Sequence, residues 1–143
     1  INKKENVPVS SVKANKLSHV QHPLAYLTDN RLDTIWSSIS QDSPNKINLI
    51  FDLGSNFSTK GLSWRTRGME AFYAPDDVVV MGSVDGLSWL FLGKFHGSPA
   101  IDTEYSINWD PILVRYIQVS APARLNPVFG DFMLQIAEVL VKR

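Results

Sequence analysis

The chain has 143 residues, 44% of them hydrophobic and 20% charged, with 14 lysines and arginines against 14 aspartates and glutamates. This length suffices for one domain with a real core, and the neutral balance lacks the basic excess of a nucleic-acid binder and offers nothing to an anionic lipid surface. Cysteine is absent, which excludes a disulfide framework or a thiolate metal site, and no apolar run approaches the roughly 20 residues of a membrane-spanning helix.

In chain order, the polar opening INKKENVP reads as a loose lead-in over residues 1–8 of a single domain, 1–143. Ile1 in place of a start methionine is expected of a processed or excised piece of something longer. Ile47 to Leu53 is a strongly apolar strand that stops at Gly54, and Thr59 to Arg65 is a second, with Leu62 and Trp64 on one face. Asp77 to Ser83 is β-branched and reads as a strand buried on both sides. Asp85-Gly86 follows as a hairpin turn, where glycine tolerates the positive φ required, and leads into Ser88 to Phe95. Glu104 to Trp109 and Val114 to Ser120 alternate apolar with polar, and Gln135 to Lys142 closes the chain through Ile136, Val139 and Val141. Seven or eight short strands without a long amphipathic helix predict an all-β sandwich or jelly roll. The long irregular tracts, 10–43, 65–76, 96–102 and 121–134, are where function sits on such a scaffold.

LTDNRLDTIW, Leu27 to Trp36, packs Asp29, Asp33, Thr28, Thr34 and Asn30 into one turn. That supply of oxygen atoms suits a hard cation; the alternative is that Asp29 and Thr34 only cap a turn by accepting nearby N–H groups. His19 and His22 lack a third ligand nearby and read as a loop coincidence, and His96 as a solvated turn residue. Adjacent aspartates such as Asp76 and Asp77 do not provide the spaced acid and nucleophile of a glycosidase, and no nucleophile elbow, phosphate loop or zinc-protease helix occurs. Asp52 and Arg115 are placed to pair for folding rather than function.

LTDNRLDTIW, INLIFDLG, Leu62-Ser63-Trp64 followed by Arg67, SVDGLSW, VRYIQV and IAEVLV stand in one order over Leu24 to Val141. Together they resemble the discoidin, or coagulation factor 5/8 type C, family, whose bacterial members include the family 32 carbohydrate-binding modules. The resemblance implies an eight-stranded antiparallel jelly-roll β-sandwich with binding loops at one rim. It also implies a structural Ca2+ held by Asp29, by Thr34, by the carbonyls of Tyr26 and Arg31, and by Glu138 and the Ala137 carbonyl from the last strand. Asn30 stands where the family usually has glycine, and asparagine tolerates the left-handed backbone such a turn needs. The family's sugar site implies Arg67, with Arg65 as a neighbour that could share its task. The loops themselves add Glu70, Phe72 and Tyr73 from 65–75 and Arg124, Asn126, Phe129 and Phe132 from 121–134 as polar and aromatic groups for a sugar; the alternative is that these rings tuck under their own loops as core. The histidine expected after Trp36 and the asparagine expected after Arg67 are missing, which leaves the sugar open. The function so implied is a non-catalytic carbohydrate-binding module of a larger glycan-processing protein, outside the cytosol, binding a terminal sugar. The alternative is a protein- or membrane-binding discoidin domain with an apolar spike of Met69, Phe72 and Tyr73. The four tryptophans read as core.

Overall fold

The computed structural model describes residues 6–31, 33–66, 73–97 and 99–143. Its strands are β1 (Asn6–Val7), β2 (Ser11–Ala14), β3 (Trp36–Ser37), β4 (Lys46–Arg65), β5 (Val78–Ser83), β6 (Leu90–Phe95), β7 (Glu104–Pro122), β8 (Arg124–Leu125), β9 (Phe132–Met133), β10 (Gln135–Ile136) and β11 (Glu138–Lys142), with one 3-10 turn at Leu24–Thr28. The backbone of the sandwich is the antiparallel ribbon of β4 and β7. It runs in register from Lys46↔Pro122 to Asp52↔Tyr116 and again from Gly61↔Asn108 to Arg65↔Glu104, with register shifts between Asp52/Phe57 and Thr59/Gly61. Bulges of this kind bend a strand, and Gly54 at φ 85° supplies a backbone conformation that other residues resist.

The bend divides the ribbon between two layers. Its first part carries β2 beside β4, and β5 then β6 beyond β7; its second part carries β11 and then β1 beside β4. Along β4 the period of two sends Ile47, Leu49, Phe51 and Leu53 inward, where they meet Trp36, Leu62, Ile117, Ile136 and Val141 in one core. The layers close tightly at Gly93 of β6, where a Cβ would stand 2.4 Å from Cγ2 of Ile107 on β7.

Several expectations change. Ile47–Leu53 and Thr59–Arg65 belong to one bent strand, as do Glu104–Trp109 and Val114–Ser120, because each keeps its partner through the bend. Gln135–Lys142 instead breaks in two: β10 pairs with β3, Ala137 N donates to Arg65 O at 2.9 Å, and β11 then joins β4. The eight expected strands are thus eleven segments of the same sandwich. The lead-in is shorter than expected, since Asn6–Val7 pairs with β11 and Val7 is in the core.

Candidate functional site

Two regions gather the residues singled out above. The first is built on the 3-10 turn Leu24–Thr28, which is anchored in the core by fully buried Leu27 and ends at Asp29. Asn30 then takes φ 60°, reversing the chain. Asp29 accepts from Arg31 N through Oδ1 (3.0 Å) and from the Thr34 hydroxyl through Oδ2 (2.6 Å), and that hydroxyl also lies 3.5 Å from the Arg31 carbonyl. The local cap is therefore present. Capping alone does not account for what arrives opposite. Glu138, first residue of β11, is 3% exposed, and neither of its carboxylate oxygens has a hydrogen-bond partner among the described residues.

Loss of water, and then the negative charge of Asp29, push the Glu138 carboxyl up to about 8. The amides of Val139, Asn30 and Arg31 pull the other way without reaching hydrogen-bond geometry. Asp29 is close enough for its charge to act on Glu138, and the Thr34 hydroxyl and Arg31 carbonyl lie on the Asp29 side; together they offer an oxygen-only donor set that a divalent cation of the calcium type would complete. The structure thus brings Asp29, Arg31, Thr34 and Glu138 together. Ala137 lies one residue before Glu138 in the β10–β11 break, and Tyr26 lies within the 3-10 turn. Asp33 is turned away, in a bidentate pair with the exposed Arg31 guanidinium (3.0 and 2.7 Å).

A second acidic group is Asp76, Asp77 and His96. His96 Nδ1 is 2.5 Å from Asp77 and 3.6 Å from Asp76, so the ring is engaged rather than simply solvated. Asp76 already accepts from Gly97 N and Asp77 N, and His96 and Asp77 are open to solvent.

The second region is the rim where tracts 38–45, 73–77 and 123–134 meet. Asp131 ties them: Oδ1 accepts from the Tyr73 hydroxyl at 2.5 Å and Oδ2 from Ser40 Oγ at 3.0 Å. Arg124 Nη1 donates to the Ala74 carbonyl (2.9 Å), and Gln41 and Phe132 exchange backbone bonds (3.0 and 2.9 Å). β8 and β9 form a small hairpin here, and its tip is preorganised. Buried Asn126 accepts from Val128 N (2.8 Å) and Phe129 N (3.3 Å), and Gly130 at φ 72° closes the turn onto the Asn126 carbonyl (2.8 Å). Val128 and Phe129 are held out 76% and 75% exposed.

Phe129 is therefore presented as a platform. Tyr73 is not: it is 5% exposed and braces the rim through its hydroxyl. Arg65 is half-buried at the end of β4, lining a cleft of about 260 Å³ with Trp64, Glu104 and Glu138, nearer the first region than the rim contacts. Arg67, Glu70 and Phe72 lie outside the described residues. Asp131 was missed as a rim organiser, its signal being its place in the long tract 121–134; Asn126, expected among the polar groups of that tract, instead braces the tip.

No family model matches the sequence, and comparison with curated proteins finds no match. Solved structures do match. A family 32 carbohydrate-binding module from a family 31 glycoside hydrolase of Clostridium perfringens superposes with a TM-score of 0.82 at 14% identity, over 97% of this chain and 95% of that one. The family 32 module of NanJ from C. perfringens, in complex with galactose, gives 0.77 at 16%, covering 97% and 98%. Chitosan-binding module 1 of a chitosanase/glucanase from Paenibacillus gives 0.76 at 18%, covering 95% and 97%. This chain therefore has the fold of the family 32 carbohydrate-binding modules, a discoidin-like antiparallel β-sandwich.

Proposed function

We propose that this chain is a non-catalytic carbohydrate-binding module, working as part of a larger secreted or surface glycan-processing protein and gripping a terminal sugar with its rim loops. The observation that carries this reading is Phe129, an aromatic ring held out of the rim by the Asn126-braced tip on a scaffold whose structural neighbours include sugar-bound modules. A rigid ring stacks on the apolar face of a pyranose with little ordering cost. Arg67, with Glu70 and Phe72 from the adjoining tract, is the complement proposed for the hydroxyls. The neighbours' ligands include galactose and 4,5-unsaturated mannuronic acid, so the fold leaves the sugar to the loops. No helix of the described residues is long and apolar enough to cross a membrane.

The cation proposed for the first region is Ca2+, held by Asp29, Thr34 and Glu138 with carbonyls of Tyr26, Arg31 and Ala137. Its role would be to neutralise buried Glu138 and half-buried Asp29 and to pin β11 to the early loop, and so to stiffen the scaffold rather than to react.

A glycan array with the wild-type chain, Phe129→Ala and Arg67→Ala tests the sugar site. Wild type is expected to retain a defined set of glycans, with both variants losing at least tenfold in signal while melting within about 2 °C of wild type. Equal retention by wild type and both variants would rule out the rim site. Binding to neutral lipid vesicles without any glycan would favour the apolar-spike alternative, which the adjacent exposed Val128 and Phe129 also suit.

A further inference from the structure

Three of the four tryptophans are in or against the core; Trp89, half-buried, is not. It lines a cleft of about 270 Å³ on the outer face of the other layer, away from the rim contacts. Strand register builds that cleft. Ser11, Asp52, Tyr116 and Ser83 are successive partners across β2, β4, β7 and β5, with Lys13 and Ile50 paired two residues along. The intervening positions, Phe51 and Ile117, point into the core.

The polar groups are fixed in advance. Asp52 accepts from Arg115 Nε (3.0 Å), Arg115 Nη2 (3.2 Å) and Gly54 N (2.8 Å). Asp85 Oδ1 accepts from Leu87 N (2.8 Å), Ser88 N (3.0 Å) and Ser83 Oγ (3.1 Å), which leaves its second oxygen without a partner among the described residues. Tyr116 is a wall clamped between the Asp85-Gly86 turn, whose Gly86 lies against its ring, and the Arg115 guanidinium 5.1 Å from the ring centroid. Lys13, exposed on β2, acts on Asp52 through its charge, and Trp89 stands half-buried at the cleft.

An indole side chain, two ordered carboxylate acceptors and an exposed ammonium are the groups that recognise a sugar ring. Asp52 and Asp85 are balanced by the Arg115 guanidinium and the Lys13 ammonium, so the cleft carries no net charge to attract an ionised sugar and offers its acceptors to hydroxyl donors. Resting on the carbohydrate-binding reading above, we propose that this cleft is a second subsite that takes a neutral pyranose, stacked on Trp89, its hydroxyls shared between Asp52, Asp85 and Lys13. With the rim, it would let one module hold a branched or folded-back glycan at two points, and the second contact would gain from the first by effective concentration.

Amide and indole chemical shifts of the ¹⁵N-labelled full chain, titrated with methyl β-D-galactopyranoside, methyl β-D-glucopyranoside and methyl α-D-mannopyranoside, test this. At least one glycoside is expected to shift the Trp89 indole and the Lys13 amide saturably. Trp89→Ala should weaken that site about tenfold, and Lys13→Ala several-fold, with shifts at 126–130 unaffected by either. Lys13 is exposed on a strand, so its variant reads out even if Trp89→Ala unfolds. Saturable shifts confined to 126–130 would overturn the second subsite and leave the rim standing. Shifts in the cleft alone would support it and refute the rim. No shift anywhere would overturn both.

Discussion

A carboxylate that loses its water without gaining a donor destabilises the fold in its ionised form, and Glu138 is in that position. Its folded-state carboxyl, at about 8, lies above its usual value. Between that usual value and about 8 the folded chain keeps a proton that the unfolded chain has lost, so stability falls as pH rises through this window. In chelator, the melting temperature should therefore drop from acid toward pH 8, and Glu138→Gln should flatten the drop. Calcium should raise the wild-type melting temperature most at the alkaline end, by mass action on the folded state, and should leave Glu138→Gln nearly unmoved. Parallel melting curves for the two proteins with and without calcium would contradict this. Asn126 offers a second test at this scale. Asn126→Ala removes the acceptor for two amides of the tip and should cost about 1–2 kcal/mol in denaturant unfolding, with sugar affinity falling as Phe129 loses its fixed pose. The oxygen-rich turn around Asp29 was legible in the sequence because its residues are contiguous. Its completion by Glu138 came only from the family resemblance, since a charged residue amid IAEVLV is ambiguous until β11 pairs with Arg65. For Tyr73 the sequence left platform and burial both open, because the choice depends on Asp131 in another loop.

Strands were recognised where one face is buried. The alternation of Ile47, Leu49, Phe51 and Leu53 names an inner face directly. Where a strand ends was less legible, because β4 continues beyond Gly54 through pairing with β7 and then β11, partners distant in sequence. The Asp85-Gly86 turn was fully local and appears as read, with Gly86 at φ 78°. Gly93 carried no such signal, since its role is contact between layers. Gly93→Ala should cost about 1–3 kcal/mol through overpacking against Ile107, because the opposing atom is a branch methyl of a buried residue. Gly93→Ala combined with Ile107→Ala should cost less than the sum of the two single variants, as expected for side chains in direct contact. Additive costs, measured by denaturant unfolding, would show that the layers do not meet there. The pair of Asp52 and Arg115 was expected and is present, half-exposed at 3.0 Å. It contributes little to stability at such exposure, and its larger effect is to order the acceptors of the sheet-face cleft.

The whole molecule is a sandwich bent from one long ribbon, with its chemistry at three separated places: an oxygen-lined junction between β11 and the early loop, a braced aromatic tip at the rim, and a walled cleft on one sheet face. On the proposed reading these places make a passive grip, whose value would lie in holding an attached activity near its substrate. The most direct test is calorimetric titration of the chain with the best glycan from the array, followed by recovery of that glycan. The account predicts saturable binding that Phe129→Ala weakens at least tenfold, with the glycan recovered intact. A shortened glycan, or binding untouched by the loss of the Phe129 ring, would contradict it.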